Sequence, residues 1–169
     1  MNKISLVSIR RAKETDFKEL FNLIHLAFGN KTESNLVKRL ISDGEVLINL
    51  LAETSDSILE NVIVSQSTME PDLGLFCGGV APLSVLPDHQ SLGIGSKLMR
   101  ETIKESKKMG MDALFLLGNP SYYKKFSFNV SNIRNEYGFG SFLELELTKG
   151  CLVNVKSKFS YASAFSSLE

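Results

Sequence analysis

The chain has 169 residues, 43% of them apolar, with 19 Lys and Arg balanced by 19 Asp and Glu. That length suits a single domain, residues 1–169, able to bury roughly two thirds of its unfolded surface. A formal charge of zero gives nucleic acid and anionic membrane no electrostatic support, and no apolar run approaches the ~20 residues of a membrane span.

The opening stretch, residues 1–10, is too short and too polar for a secretory signal. The two cysteines, Cys77 and Cys151, lack metal-ligand spacing and fit reduced thiols of a cytoplasmic protein better than a disulfide. No metal is expected. Residues 6–11 predict a short strand. Thr15 and Asp16 then offer N-caps for a helix whose apolar positions Phe17, Leu20, Phe21, Ile24, Ala27 and Phe28 recur with helical period, closed by Gly29. A second helix, from Thr32 or Glu33 to Asp43, turns Leu36, Val37, Leu40 and Ile41 inward and stops at Gly44. Two β runs, 46–52 and 58–65, flank a polar turn, and Glu70-Pro71-Asp72 reads as a loop.

The strand expected at 79–86 contains Pro82, which cannot donate to a ladder and so marks an edge or a bulge. A strand side left open for a ligand would account for it. A helix from Gly95 or Ser96 to Met109 places Leu98, Met99, Ile103 and Met109 on the core, with Gly110 as C-cap. Its outer face carries Lys97, Arg100, Lys104, Lys107 and Lys108, and the interleaved Glu101 and Glu105 read as a solvated surface. Residues 112–118 predict a fully buried strand. Asn119-Pro120 reads as an N-cap with proline at the first helical position, starting a short helix to about Lys125. Residues 142–147 alternate, Leu143, Leu145 and Leu147 against Glu144 and Glu146, as a half-exposed strand does. The last twenty residues look irregular or weakly β. Strand–helix–strand across 79–118 demands a right-handed parallel crossover, so the fold class is α/β (α+β) with a mixed sheet.

Leu83 to Ser96 carries the chemistry. A short apolar strand ends at Pro87, and Gln90-x-x-Gly93-x-Gly95 opens straight into a helix. Such a loop turns several backbone N–H groups toward the positive end of a helix dipole, a site for anions and above all phosphates. A dinucleotide fingerprint would need a third glycine where Leu98 stands, and an ATP-type loop would need Gly-Lys-Ser/Thr where the chain has Gly95-Ser96-Lys97. An ordinary glycine-rich turn would show the same hexapeptide. Spacing and context decide.

Gln90-x-x-Gly93-x-Gly95, after a strand ending in Val-x-Pro, resembles the coenzyme A pyrophosphate loop of the GCN5-related N-acetyltransferases (GNAT). Leu117-Gly-Asn-Pro-Ser-Tyr-Tyr-Lys-Lys-Phe-Ser-Phe128 is similar to that superfamily's segment after the fifth strand, and closest to its subgroup of small bacterial N-acetyltransferases. Ile9-Arg10, the 36–53 stretch and the closing Phe159–Phe165 segment also look like that subgroup, so the resemblance spans almost the whole chain. It implies an acyl-CoA N-acyltransferase fold, with helices on both faces of a mixed sheet that splays open between two parallel strands. The implied reaction moves an acetyl or acyl group from acetyl-CoA or another acyl-CoA to an amine by direct attack in a ternary complex. On the same fold, a non-catalytic acyl-CoA sensor is the alternative.

Carried over residue by residue, the resemblance implies that Leu83, Ser84 and Val85 pair with pantetheine amides as an added strand would. Gln90, Ser91, Leu92, Gly93, Ile94, Gly95 and Ser96 would hold the pyrophosphate, and Asn119 would contact the cofactor. Tyr123 matches the tyrosine that faces the coenzyme A sulfur. Tyr122 and Tyr123, about 100° apart on a helix, cannot both face one site, and alignment favours Tyr123. Three positions depart from the pattern. Ser127 stands where the superfamily favours Gly, Ser91 and Leu92 remove side-chain charge from the loop, and Glu60-Asn61 falls where the subgroup often has Gly-His. No carboxylate lies on 79–86 to serve as base, and Glu70, Asp72 and Asp88 lie in flanking loops. The expected partner is a small-molecule or peptide amine, with no nucleic acid or membrane, and a monomer or homodimer. His25, His89 and Cys77 are read as packing residues, Cys77 because no base is paired with it.

Overall fold

A computed structural model describes residues 6–138 and 140–168. Residues 1–5 of the stretch judged too polar for a signal lie outside them. β1 (Ser8–Arg11) leads through a 3-10 turn (Glu14–Asp16) to α1 (Phe17–Phe28) and α2 (Thr32–Ser42). Then come β2 (Val46–Glu53), β3 (Ile58–Gln66), β4 (Thr68–Glu70), β5 (Cys77–Val85) and α3 (Ile94–Lys108). β6 (Ala113–Leu117), α4 (Pro120–Tyr123), β7 (Asn129–Val130), β8 (Phe142–Glu146) and β9 (Lys158–Ser160) complete the order.

Seven strands form one sheet in the order β1-β2-β3-β5-β6-β8-β7, while β4 and β9 pair separately. β5 and β6 run parallel, joined by the α3 crossover, and the other neighbours are antiparallel. Strand alternation sorts the core. Ile48, Leu50, Val62, Val64, Leu114 and Leu143 face α3, where Leu98 and Met99 complete the layer. On the opposite face Leu51 and Ile63 meet Leu20, Ile24, Val37 and Leu40 of α1 and α2. Further along that face the C-terminal segment takes over, with Phe159 and Tyr161 packed on Phe115 and Phe142. The splayed mixed sheet with helices on both faces is thus present.

Several local expectations need correcting. Asp16 does not cap α1 with its side chain. Its carboxylate instead accepts from the Lys13 amide at 2.7 Å and takes a bidentate pair from Arg10 at 2.7 and 2.9 Å. Met109 is not core but 37% exposed, because Thr102 and Ser106 occupy the inward positions and hydrogen-bond back to the Leu98 and Thr102 carbonyls. Leu117, at the end of the strand expected to be fully buried, is 44% exposed. The Glu face of β8 is half-exposed as expected, and its carboxylates are engaged: Glu144 accepts from Ser131, and Glu146 accepts from the Gly150 and Leu152 amides. Glu70 lies in a strand, β4, not a loop.

Candidate functional site

β5 and β6 pair at Cys77–Ala113, Gly78–Leu114 and Gly79–Phe115, and there the ladder stops. Beyond it β6 stays on β8 while β5 stays on β3, and the two parallel strands diverge. The divergence begins at a bulge. Val64 pairs with Val80 and Val62 with Leu83, so Ala81 and Pro82 together oppose Ile63, and Pro82 has no N–H to offer a neighbour. The Ala81–Pro82 peptide is cis.

Past the bulge, alternation fixes which backbone groups are free. The Leu86 amide donates to Leu59 O at 3.0 Å on the β3 side. Ser84 therefore also faces β3, and the N–H and C=O groups of Leu83 and Val85 point into the cleft. Ser84 is fully buried opposite Asn61, and its side chain lies on the α1 side of the sheet, away from the groove. The resemblance assigned all three residues to the cofactor; in the structure Leu83 and Val85 turn their backbone groups to the open cleft and Ser84 does not.

At the end of β5 the chain passes a 3-10 turn (Pro87–His89) and enters α3 through Gly93, which has φ of 80°. A left-handed residue at this N-cap turns the first amides of the helix toward the cleft, where glycine carries no Cβ penalty. Gly93 brings no side chain to cap those amides, and the Gly95 amide bears on the Glu60 carboxyl. A groove of about 390 Å³ opens there, lined by Leu83 and Val85 of β5, Gln90, Ser91 and Gly93 of the loop, Gly95 and Ser96 of α3, and three residues discussed below. A Cβ on Gly95 would project into it, 3.3 Å from Glu60 Oε2 and 3.7 Å from the Tyr122 hydroxyl. The loop residues do not all converge. Ile94 is buried against Ala52 and Leu59, and Leu92 is 42% exposed at the surface.

The three groove residues that sequence reasoning missed are Glu60, Tyr122 and Lys125. Lys125 Nζ, from the 3-10 turn after α4, donates to Ser96 Oγ at 2.8 Å and lies 4.1 Å above the Tyr122 ring, so a cation stands beside a loop whose Ser91 and Leu92 carry no charge. Glu60, the cross-strand partner of Val85, is 2% exposed and its Oε2 has no hydrogen-bond partner. Burial pushes its carboxyl up to about 7, and the Gly95 amide offsets part of that shift.

Tyr123 is half-buried beside the groove. Its ring lies so close to Gly118 that a Cβ there would meet it at 2.3 Å, and it packs edge-on against Tyr122 and Phe128. Burial first, and then Tyr122, raise its phenol above the ordinary value. Asn119 is exposed and caps α4, accepting from the Ser121 amide at 2.9 Å. Ser127 has φ of 71°, so the glycine preference at this place has a physical basis that the serine contravenes. Behind the splay, Tyr161 covers Gly79, and its hydroxyl is buried without a partner. Cys77 is buried, its thiol pushed up to about 12 chiefly by desolvation. Among the described residues no cluster of three His, Cys, Asp or Glu is placed to hold a metal. No helix among them is long and apolar enough to cross a membrane.

A parallel pair prised apart beside a helix N-terminus opened by glycine agrees with what comparison finds. The acetyltransferase (GNAT) domain family matches residues 8–131, and the chain belongs to that family. It is similar to the uncharacterized N-acetyltransferase YjhQ of Escherichia coli K12, 27% identical over 118 residues, 68% of this chain and 65% of that protein. The match to YhbS of the same organism, 25% identical over 109 residues, likewise spans 65% of that relative's length. Among solved structures, the GNAT family N-acetyltransferase YhbS from Escherichia coli, in complex with CoA, superposes with a TM-score of 0.87 at 25% identity, covering 95% of this chain and 92% of that one. A GNAT family acetyltransferase from Brucella melitensis, in complex with acetyl-CoA, gives 0.80 at 27% identity, covering 94% and 97%.

Proposed function

We propose that this chain transfers an acetyl or other acyl group from an acyl-CoA to an amine by direct attack in a ternary complex. The observation that carries the reading is the open edge of β5 running into the glycine-opened first turn of α3. Leu83 and Val85 would pair with pantetheine amides as a neighbouring strand would. The Gly93–Ser96 amides, with Lys125, would hold the pyrophosphate, each charge-assisted bond contributing about 1.5–3 kcal/mol. The glycine at 95 leaves room for it, since a Cβ would stand in the groove.

Acetyl-CoA would supply the activated thioester, and the protein's own groups handle orientation and charge. An outward amide of β5, from Val85 or Leu83, would polarise the thioester carbonyl. Tyr123 would hydrogen-bond the departing thiolate. A thiol titrates near ~8.5 and a tyrosine near ~10, and burial raises Tyr123 further, so the phenol stabilises charge more than it delivers a proton. A lysine-like acceptor amine is neutral about once in 2,500 molecules at pH 7, so its deprotonation costs roughly 4–5 kcal/mol. Ordered water or a backbone carbonyl would carry that proton outward. The acceptor class is an amine on a small molecule or a peptide. Calorimetry with acetyl-CoA followed by an amine panel read by free-thiol release tests the reading. Micromolar binding with amine-dependent thiol release is expected. No binding at high micromolar acetyl-CoA overturns it, and binding with slow hydrolysis alone across a broad panel identifies a sensor instead.

A further inference from the structure

Among the residues lining the groove read above as the pyrophosphate seat, Glu60 is the acidic one. α3 has 15 residues, and its N-cap Gly93 brings no side chain to the first turn, where the Gly95 amide bears on Glu60. Beneath that turn the Glu60 carboxyl is almost wholly buried, and its unpartnered Oε2 lies 3.3 Å from where a Cβ on Gly95 would stand. A buried polar atom without a partner at the wall of a groove calls for an explanation, and a ligand seated there would supply one. Resting on the coenzyme A reading above, we propose that Glu60 is a binding residue of the pyrophosphate seat and works as the neutral acid, donating its proton to a phosphate oxygen.

The surroundings favour this form. β2 presents Ala52 as cross-strand neighbour, and β5 presents Leu83 and Val85. α3 presents Gly95 and Ser96, and the loop presents Gln90 and Ser91. Tyr122 and Lys125 come from the α4 turn; they are the titratable and charged groups that share the groove with Glu60. Lys125 is committed to Ser96 Oγ and the Tyr122 ring and forms no ion pair with Glu60. An ionised Glu60 would set like charge against the pyrophosphate, whereas the acid offers a donor where phosphate supplies acceptors. With the free carboxyl titrating at about 7, binding above that pH draws one proton from solvent onto Glu60 and makes or breaks no other covalent bond.

The test is calorimetry of the full chain with acetyl-CoA at pH 6.5, 7.5 and 8.5, in two buffers of different ionisation enthalpy. Between pH 7.5 and 8.5 the 3′-phosphate no longer titrates, its second pKa lying near ~6. Affinity should fall about five- to tenfold over that unit, with uptake approaching one proton. Glu60→Gln keeps a donor and cannot ionise, so its affinity should be flat with pH and exceed wild type at pH 8.5. Without ligand the raised carboxyl means that the native state holds a proton the unfolded chain releases near ~4.3. Wild-type melting temperature should therefore drop from pH 5 to 8, and that of Glu60→Gln should drop less. Equal wild-type affinities at pH 7.5 and 8.5 with no proton uptake overturn the proposal, as does a Glu60→Gln variant that keeps the wild-type pH dependence. If the variant does not fold, the wild-type proton count decides. Failure of either protein to bind acetyl-CoA at any pH overturns the cofactor reading itself, a result distinct from pH-independent binding.

Discussion

Cys77–Gly79 and Leu83–Val85 belong to one strand, yet the two stretches meet opposite conditions. The first is hydrogen-bonded on both edges, to β3 and to β6, and its glycines let neighbours come so close that a Cβ on Gly78 would meet Val64 at 2.6 Å and one on Gly79 would meet Tyr161 at 2.4 Å. The second is paired on one edge and turns its other edge to a groove. Between them stands a two-residue bulge containing a proline. Closed pairing with tight packing anchors the strand, and that anchorage allows unsatisfied backbone groups to persist a few residues away. Substitutions should therefore separate into those that hurt binding and those that hurt stability, according to which stretch they touch.

The largest effect should come from Gly93→Glu. A Cβ at Gly93 meets nothing within 4 Å, so the fold survives, although the left-handed backbone costs about 1–2 kcal/mol for any L side chain. The new carboxylate faces the proposed pyrophosphate, and acetyl-CoA affinity should fall at least 100-fold by calorimetry, with Gly93→Ala carrying the strain without the charge. Next, Tyr123→Phe should lower kcat roughly 10- to 1,000-fold while acyl-CoA affinity changes little. Wild-type turnover in that variant, with chemistry limiting, would leave positioning alone to explain catalysis. On the closed stretch, Gly79→Ala drives a methyl into the buried Tyr161 ring and should cost about 1–3 kcal/mol in denaturant unfolding. If it weakened acetyl-CoA binding without loss of stability, the division of β5 into anchor and edge would collapse. The smallest effect is expected from Lys125→Ala, about a three- to tenfold loss of acetyl-CoA affinity that shrinks with added salt, because the ammonium is partly solvated. A loss unaffected by salt would mean that Lys125 acts by packing on Tyr122.

What the sequence made legible was local. Pro82 in a β run foretold an edge or a bulge, Gly93 and Gly95 foretold a tight loop opening into a helix, and Asn119-Pro120 foretold a helix start; each depends on a residue's own backbone chemistry. What it hid was brought together from afar. Glu60 in a buried strand reads as an anomaly until pairing with Val85 sets it under α3. Lys125 reads as the end of a short helix until the chain folds it back onto Ser96. Between adjacent tyrosines, periodicity shows that one must turn inward without saying which: Tyr122 lines the groove and Tyr123 packs beside it. β4 and β9 escaped because three-residue strands carry too little alternation to register.

The aromatic layer carried by β9 has a consequence for where this domain can be cut. The family match ends at residue 131, yet Phe159 and Tyr161, both beyond it, roof the face that β5 and β6 present through Cys77, Gly79, Ala113 and Phe115 and that Phe142 of β8 extends. A fragment trimmed to the shared family core would lose both that roof and the strand at the free edge of β6. It would display an apolar patch beside an unpaired ladder, the combination that promotes self-association. The unit to express is therefore longer than the stretch the family model matches, and expression trials should set their boundary by the roof.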